Sequence, residues 1–181
     1  MPPRHLALTL SLITCIALST AGFRSASSPH ASVGSIIPSA PMLEPRSGHT
    51  ATLLADGRVL IAGGMRRNQD FYRSAELYNP ATRSFQQTGA MSQGRVGHIA
   101  VLLHSGKVLI AGGWIGHGCT NSAELYDPAT GQFKILPAKM TAPRGDSRAT
   151  VLLNGDVLIT GGADHDSPGG IASAESSALP A

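Results

Sequence analysis

"SAELYDPATG", residues 122–131, decides the fold, because a near-copy, "SAELYNPATR", occupies residues 74–83 and a third start, "SAESS", stands at residues 173–177. Working outward from these phrases, other residues recur in one register. Met42, Met91 and Met140 are separated by 49 residues each time, as are Arg46, Arg95 and Arg144. The pairs Gly63-Gly64, Gly112-Gly113 and Gly161-Gly162 keep the same interval. His49 and His98 match as well, whereas the third copy has Ser147 at that place. Self-similarity at such a period is the mark of a repeat architecture, in which each unit buries its faces only against its neighbours.

One period reads as four short strands. "HTATLL" (49–54) and "HIAVLL" (98–103) supply the first, and "ADGR" and "HSGK" the turn that follows, with Gly57 and Gly106 able to take positive φ. "VLIAGG" is an apolar run of the length of a strand buried on both faces. "SAELY" alternates with period two, which turns Glu76 and Glu124 away from their apolar neighbours. In "DPATG", Pro128 sets φ and the Asp127 side chain can cap backbone amides. A fourth strand is expected around Phe85 and Phe133. Four strands cannot cover both of their own faces, but stacking them radially does so, and that is the logic of a propeller blade. The fold class expected is all-β, an incomplete β-propeller.

Composition agrees. With 21 glycines, 12 prolines and only 14% charged residues, the chain reads as turn-rich β-structure rather than disorder. The net charge of +3 is scattered, aromatics are 4%, and Arg66-Arg67 is the one basic pair, so no nucleic-acid surface is indicated. Residues 1–21, "MPPRHLALTLSLITCIALSTA", have the basic start, short apolar run and small-residue exit of a secretory signal. That run is too short for stable membrane insertion, which takes about 20 residues. Export is therefore expected, with cleavage after Ala21; a second reading makes Cys15 a lipid-attachment cysteine. Cleavage would leave Cys119 unpaired in an oxidising compartment.

The 49-residue spacing, the glycine pair after an apolar strand and the later Tyr-Asp/Asn-Pro turn resemble kelch repeats. "RSGHTATLLADGRVLIAGG" (46–64) followed by "SAELYDPATG" is similar to the bacterial type related to the propeller domain of galactose oxidase. The organisation expected is a signal peptide (1–21), a Ser/Ala/Pro-rich linker (22–34) and an orphan outer strand (35–44). Repeat 1 (45–92), repeat 2 (93–141) and a partial repeat 3 (142–181) follow. Propellers close with about 4 to 8 blades, so the chain reads as a truncated product or as one arc of an oligomeric ring. Open blade edges then offer a route to self-association.

Residues that recur with the repeat are expected to serve it: Gly63, Gly64, Gly112, Gly113, Gly161, Gly162, His49, His98, Tyr78, Tyr126 and the three arginines. "RGD" at residues 144–146 is read as coincidence, since Arg144 belongs to that set. Function is sought in what varies, the connections 65–73, 114–121 and 163–172, which should rise from one face. Arg66, Arg67, Tyr72, Trp114 and His117 are the binding candidates there, for a protein or carbohydrate ligand. No catalytic residue, metal site or cofactor is read from the sequence. Asp164, His165 and Asp166 form a polar loop with too few carboxylates for calcium, which wants about 6 to 8 oxygens. The galactose oxidase resemblance implies an alternative, a remnant of a copper oxidase domain using Cys119, His117 and Tyr72. A non-functional truncated product is another. The leading expectation is an exported, non-catalytic binding or scaffold module.

Overall fold

The repeated phrases fold as repeated antiparallel sheets. The computed structural model describes Gly34 and residues 36–67, 70–164 and 170–177. Among these residues there are strands and no helix, so none could cross a membrane as one. The proposed export signal, Cys15, nearly all of the linker, His165 and Asp166 lie outside the described residues. From Pro38 onward the chain forms one compact unit, which the following account concerns.

The first sheet joins β1 (Thr50–Leu53), β2 (Val59–Ala62), β3 (Ser74–Asn79) and β4 (Ser84–Ala90) in chain order. The second repeats it with β5 (Ile99–Leu102), β6 (Val108–Ala111), β7 (Ala123–Asp127) and β8 (Gln132–Ile135). The third holds β9 (Arg148–Val151), β10 (Val157–Thr160) and β11 (Ala174–Ser177). Turn chemistry closes the hairpins as the sequence requires: Gly57 and Gly106 have φ of 84° and 79°, and Asp127 Oδ1 accepts the Ala129 N–H at 2.9 Å. β5 packs against both β1 and β9, and β4 against β8, so the sheets stack as successive blades of an incomplete propeller.

The core sits between the sheets. Along β6, Val108 and Ile110 face the first blade, while Leu109 and Ala111 face the third. This alternation explains why "VLIA" is apolar throughout, since both faces of the strand are covered. The wall of the first junction is Leu60, Ala62, Ala75 and Met91, and Tyr126 fills it. That of the second is Leu109, Ala111, Ala123 and Met140, facing Val157 and Ile159.

The glutamates of "SAELY" do turn away from their apolar neighbours, but into an ion pair instead of water. Glu76 and Glu124 are each 1% exposed. Arg46 Nη2 meets Glu76 Oε1 at 2.6 Å and Arg95 Nη2 meets Glu124 Oε1 at 2.9 Å. Each arginine also donates through Nη1 to the carbonyl that follows its second strand, Gly63 O at 2.7 Å and Gly112 O at 2.9 Å. Each glutamate holds the segment entering its blade, Glu76 through the Leu43 N–H at 2.8 Å and Glu124 through the Ser92 N–H at 2.9 Å. The recurrent Arg and Glu thus form one clamp per blade, hydrogen-bonded through the arginine Nη atoms and the carboxylate oxygens, while Nε of Arg46 and Arg95 is buried without a partner. Before β1, Ser39 Oγ meets Tyr78 OH at 2.9 Å, the contact that Thr88 Oγ1 in β4 makes with Tyr126 OH at the same distance.

Candidate functional site

In each blade the start of the first strand, the end of the second and the start of the third lie at one end of the sheet, as the pairing Thr50↔Ala62↔Ala75 shows. The variable connections therefore leave from one face. Three residues lead into the first strands at this end, Gly48, Gly97 and Asp146, and all have left-handed φ of 63°, 62° and 53°. A backbone ladder ties them from blade to blade. Gly97 N–H donates to Gly48 O at 3.1 Å, and Asp146 N–H donates to Gly97 O at 2.7 Å. The left-handed conformation favours glycine, so the aspartate in the third blade is the exception that adds a side chain to this ladder.

The glycine pairs maintain the same junctions. A Cβ on Gly63 would stand 2.6 Å from Arg95 O, and one on Gly112 would clash with Arg144 O. The next residue of each pair uses those carbonyls, Gly64 N–H donating to Arg95 O at 2.9 Å and Gly113 N–H to Arg144 O at 2.8 Å. His98, 5% exposed, reaches back to Thr50 Oγ1 at 2.9 Å. Burial, reinforced by the Arg95 charge, lowers its pKa to about 3. His49 occupies the equivalent place in the first blade, Tyr78 and Tyr126 correspond to each other, and the Arg144 side chain is fully buried, so the tripeptide 144–146 does not expose its arginine.

On the loop face lies a cavity of about 380 Å³, within the range of small-ligand sites. Its walls come from all three repeats: Gly48 and Met65, then Val96, Gly97, Trp114 and Cys119, then Gly145, Asp146, Ala163 and Asp164. Short bridges build it. Met65 pairs with Ser47 and Phe71, Trp114 with Val96 and Cys119, and Ala163 with Gly145. Cys119 Sγ donates to Ala163 O at 3.3 Å, joining the second loop to the third. Burial raises the Cys119 pKa, with the charges of Asp164 and Asp146 adding to it, so the thiol is not an activated nucleophile.

The structure separates the five binding candidates. Trp114 lines the cavity. Arg66 and Arg67 are exposed and line a neighbouring open hollow with Pro45, Arg46 and Ser47; Met65 belongs to both. Tyr72 turns inward, its ring centroid 5.1 Å from Arg46 Cζ, a cation–π contact. His117 is exposed beside the turn closed by Ile115 N–H to Gly118 O at 3.0 Å. Asp146 and Asp164 were not selected from the sequence. Their signal was a departure from the repeat: Gly48 and Gly97 stand at the place of Asp146, and Arg66 and Ile115 at the place of Asp164, each one residue past its bridge. Among the described residues no three His, Cys, Asp or Glu side chains gather to hold a metal.

Residues 95–140, the second repeat from its arginine to its methionine, match the Kelch motif. That match supports a kelch-repeat protein of the propeller type, a fold that serves protein binding or scaffolding. No curated protein matches the chain.

Proposed function

We propose that this chain is the blade-bearing part of an exported, kelch-type binding module, and that its loop face recognises a protein or carbohydrate ligand without catalysis of its own. The observation that supports it is the cavity of about 380 Å³, whose walls combine repeat backbone with residues that do not recur, Trp114, Cys119, Asp146 and Asp164. What recurs is engaged in the blades, whereas these four residues, which do not recur, line one concavity on that scaffold, where recognition concentrates. Export rests on the signal-like residues 1–21, and N-terminal sequencing of the secreted chain should begin at Gly22.

The test is a screen of the mature chain on glycan and peptide arrays, beside Trp114→Ala and a control, His104→Ala, exposed in the turn at the opposite end of the second blade. Binding lost at least tenfold on Trp114→Ala and kept by the control supports the reading. Binding insensitive to Trp114, or copper-dependent oxidation of a primary alcohol that disappears on Cys119→Ser, overturns it.

A further inference from the structure

The first hairpin of each blade turns at the end of the sheet away from the loop face, where Leu53 pairs with Val59, Leu102 with Val108 and Val151 with Val157. Each turn holds a glycine, preceded by Asp56 in the first blade, Ser105 in the second and Asn154 in the third. Asn154 is the chain's only asparagine followed by glycine. It is exposed, and an added Cβ on Gly155, at φ 90°, would meet among the described residues only His104 Nδ1, at 3.7 Å. No side chain therefore stands between the Gly155 nitrogen and the amide carbon beside it. The other asparagines differ. Asn79 precedes Pro80, which has no N–H, and Asn121 precedes Ser122, whose N–H is donated to Thr120 Oγ1 at 3.1 Å. Three hydrogen bonds close the third turn: Asn154 Nδ2 to Asp156 Oδ2 at 2.8 Å, Asp156 N–H to Asn154 Oδ1 at 3.2 Å and Gly155 N–H to Leu152 O at 2.9 Å. Reaction at Asn154 thus follows opening of this turn, and an exposed hairpin end opens at low cost.

We infer that Asn154 is a site of spontaneous covalent modification whose product loosens the third blade's first hairpin. The Gly155 nitrogen attacks Cγ of Asn154, the new C–N bond forms as the Cγ–Nδ2 bond breaks, and the amide nitrogen leaves as ammonia with the Gly155 proton. The succinimide so closed is opened by one water at either carbonyl. One opening gives aspartate; the other gives isoaspartate, with the main chain rerouted through Cβ. Nothing is oxidised or reduced. Either product exchanges a neutral donor for a carboxylate, so the bond from Nδ2 to Asp156 is lost and two acids face each other across the turn. The first blade shows what an acid at this place is given: Asp56 Oδ2 accepts from Arg58 Nε at 2.8 Å and meets its Nη2 at 2.7 Å. Asp156 stands in the place of Arg58, so the third turn sets a second carboxylate where the first has its cation.

Trypsin leaves residues 149–181 as one peptide, in which Asn154 is the only side-chain amide. The mature chain is aged at mildly alkaline pH, digested and followed by mass spectrometry. The expected result is conversion of that peptide from amide to acid, with isoaspartate among the products, at least tenfold faster than Asn79 or Asn121 converts. Asn154→Ser, which installs the second blade's residue, should keep its mass and melt with the parent. Asn154→Asp makes one product outright and should speed hydrogen exchange about threefold or more in β9 and β10 while leaving β5 and β6 unchanged. A peptide that keeps its mass in the folded chain overturns the inference, even if the urea-unfolded chain converts, because the turn then protects the amide. Aspartate without isoaspartate overturns it too, since that marks direct hydrolysis instead of attack by Gly155. Unchanged exchange in both Asn154→Asp and the aged chain would overturn the loosening.

Discussion

Two junctions hold the three blades, and they are built on the same wall with different fillings. Between the first and second, Tyr126 is wholly buried against Leu60, Ala62 and Met91, and its hydroxyl meets Thr88 Oγ1. Between the second and third, the matching wall of Leu109, Ala111 and Met140 is faced by Ser177, which pairs with Val157 as Tyr126 pairs with Val108. A cleft of about 50 Å³ remains there, lined also by Leu136 and Ile159. The polar parts differ in the same sense. His98 bonds across the first junction to Thr50, whereas Ile99 offers no partner in the second blade and Ser147 Oγ is buried without one. The repeat therefore sets where blades meet, and the side chain at each meeting point sets how firmly.

The largest contrast should appear at the clamps. Burial pulls the Arg95 guanidinium below its ordinary pKa while Glu124 opposes the shift, so the pair depends on both members. Arg95→Ala would leave Glu124, 1% exposed, as a lone buried charge and should cost about 3–5 kcal/mol in urea denaturation. Arg144 faces Glu175 at 3.3 Å, a longer pair whose glutamate side chain is 14% exposed. Arg144→Ala should cost clearly less. Equal losses would show that the two clamps are equivalent in solution and break the comparison.

The next effect tests the filling itself. Tyr126→Ser copies the third blade's residue into the first junction and should cost about 3 kcal/mol, within the range for removing a buried aromatic. Hydrogen exchange should then accelerate in β2 and β6 together, because Leu60, Ala62, Val108 and Ile110 lose one shared neighbour. Acceleration confined to β7 would mean that Tyr126 serves its own strand more than the junction.

Acid should loosen the first junction selectively. His98 is neutral in the folded chain down to about pH 3, whereas its ordinary value is 6.5. Between those limits the unfolded chain takes up a proton that the folded chain refuses, so stability is unaffected above pH 6.5 and falls as pH drops. The slope is at most about 1.4 kcal/mol per pH unit. The second junction has Ser147 and no such term. Melting at pH 7 and pH 5 should show the loss in the parent and a flatter profile in His98→Gln; parallel profiles would sink the assignment.

How far the sequence reached follows the same division. Strands, turns and glycine pairs were legible because they recur, and a feature repeated every 49 residues announces its own register. The partners of recurrent charges were less so. Arg95 and Glu124 are both visible as repeats, but that they meet in one clamp is a fact of folding two strands apart. The cavity was hardly legible, because Gly48, Gly97 and Asp146 come together only when three repeats stack. Choosing loop residues by variability selected Arg66, Arg67 and His117, which are exposed, along with Trp114, which lines the cavity. Variability marks where a scaffold is free to change, while concavity is decided by the ladder beneath.

The smallest effect runs in the opposite direction, toward more stability. The cleft at the second junction has room for about two water volumes. Ser177 stands opposite Val157 in the β10–β11 ladder. Ser177→Val puts a small branched group against Leu109, Leu136 and Met140, and valine suits a strand. Two methyl groups replace one hydroxyl, and burying about one of them there should add about 1 kcal/mol. If the first junction is firm because its wall is filled, this gain should be read in exchange protection of β10 and β11 and leave β2 unchanged. No gain would locate the weakness of the second junction in its polar contacts, Ser147 and the longer Arg144–Glu175 pair, which the arginine variants measure independently.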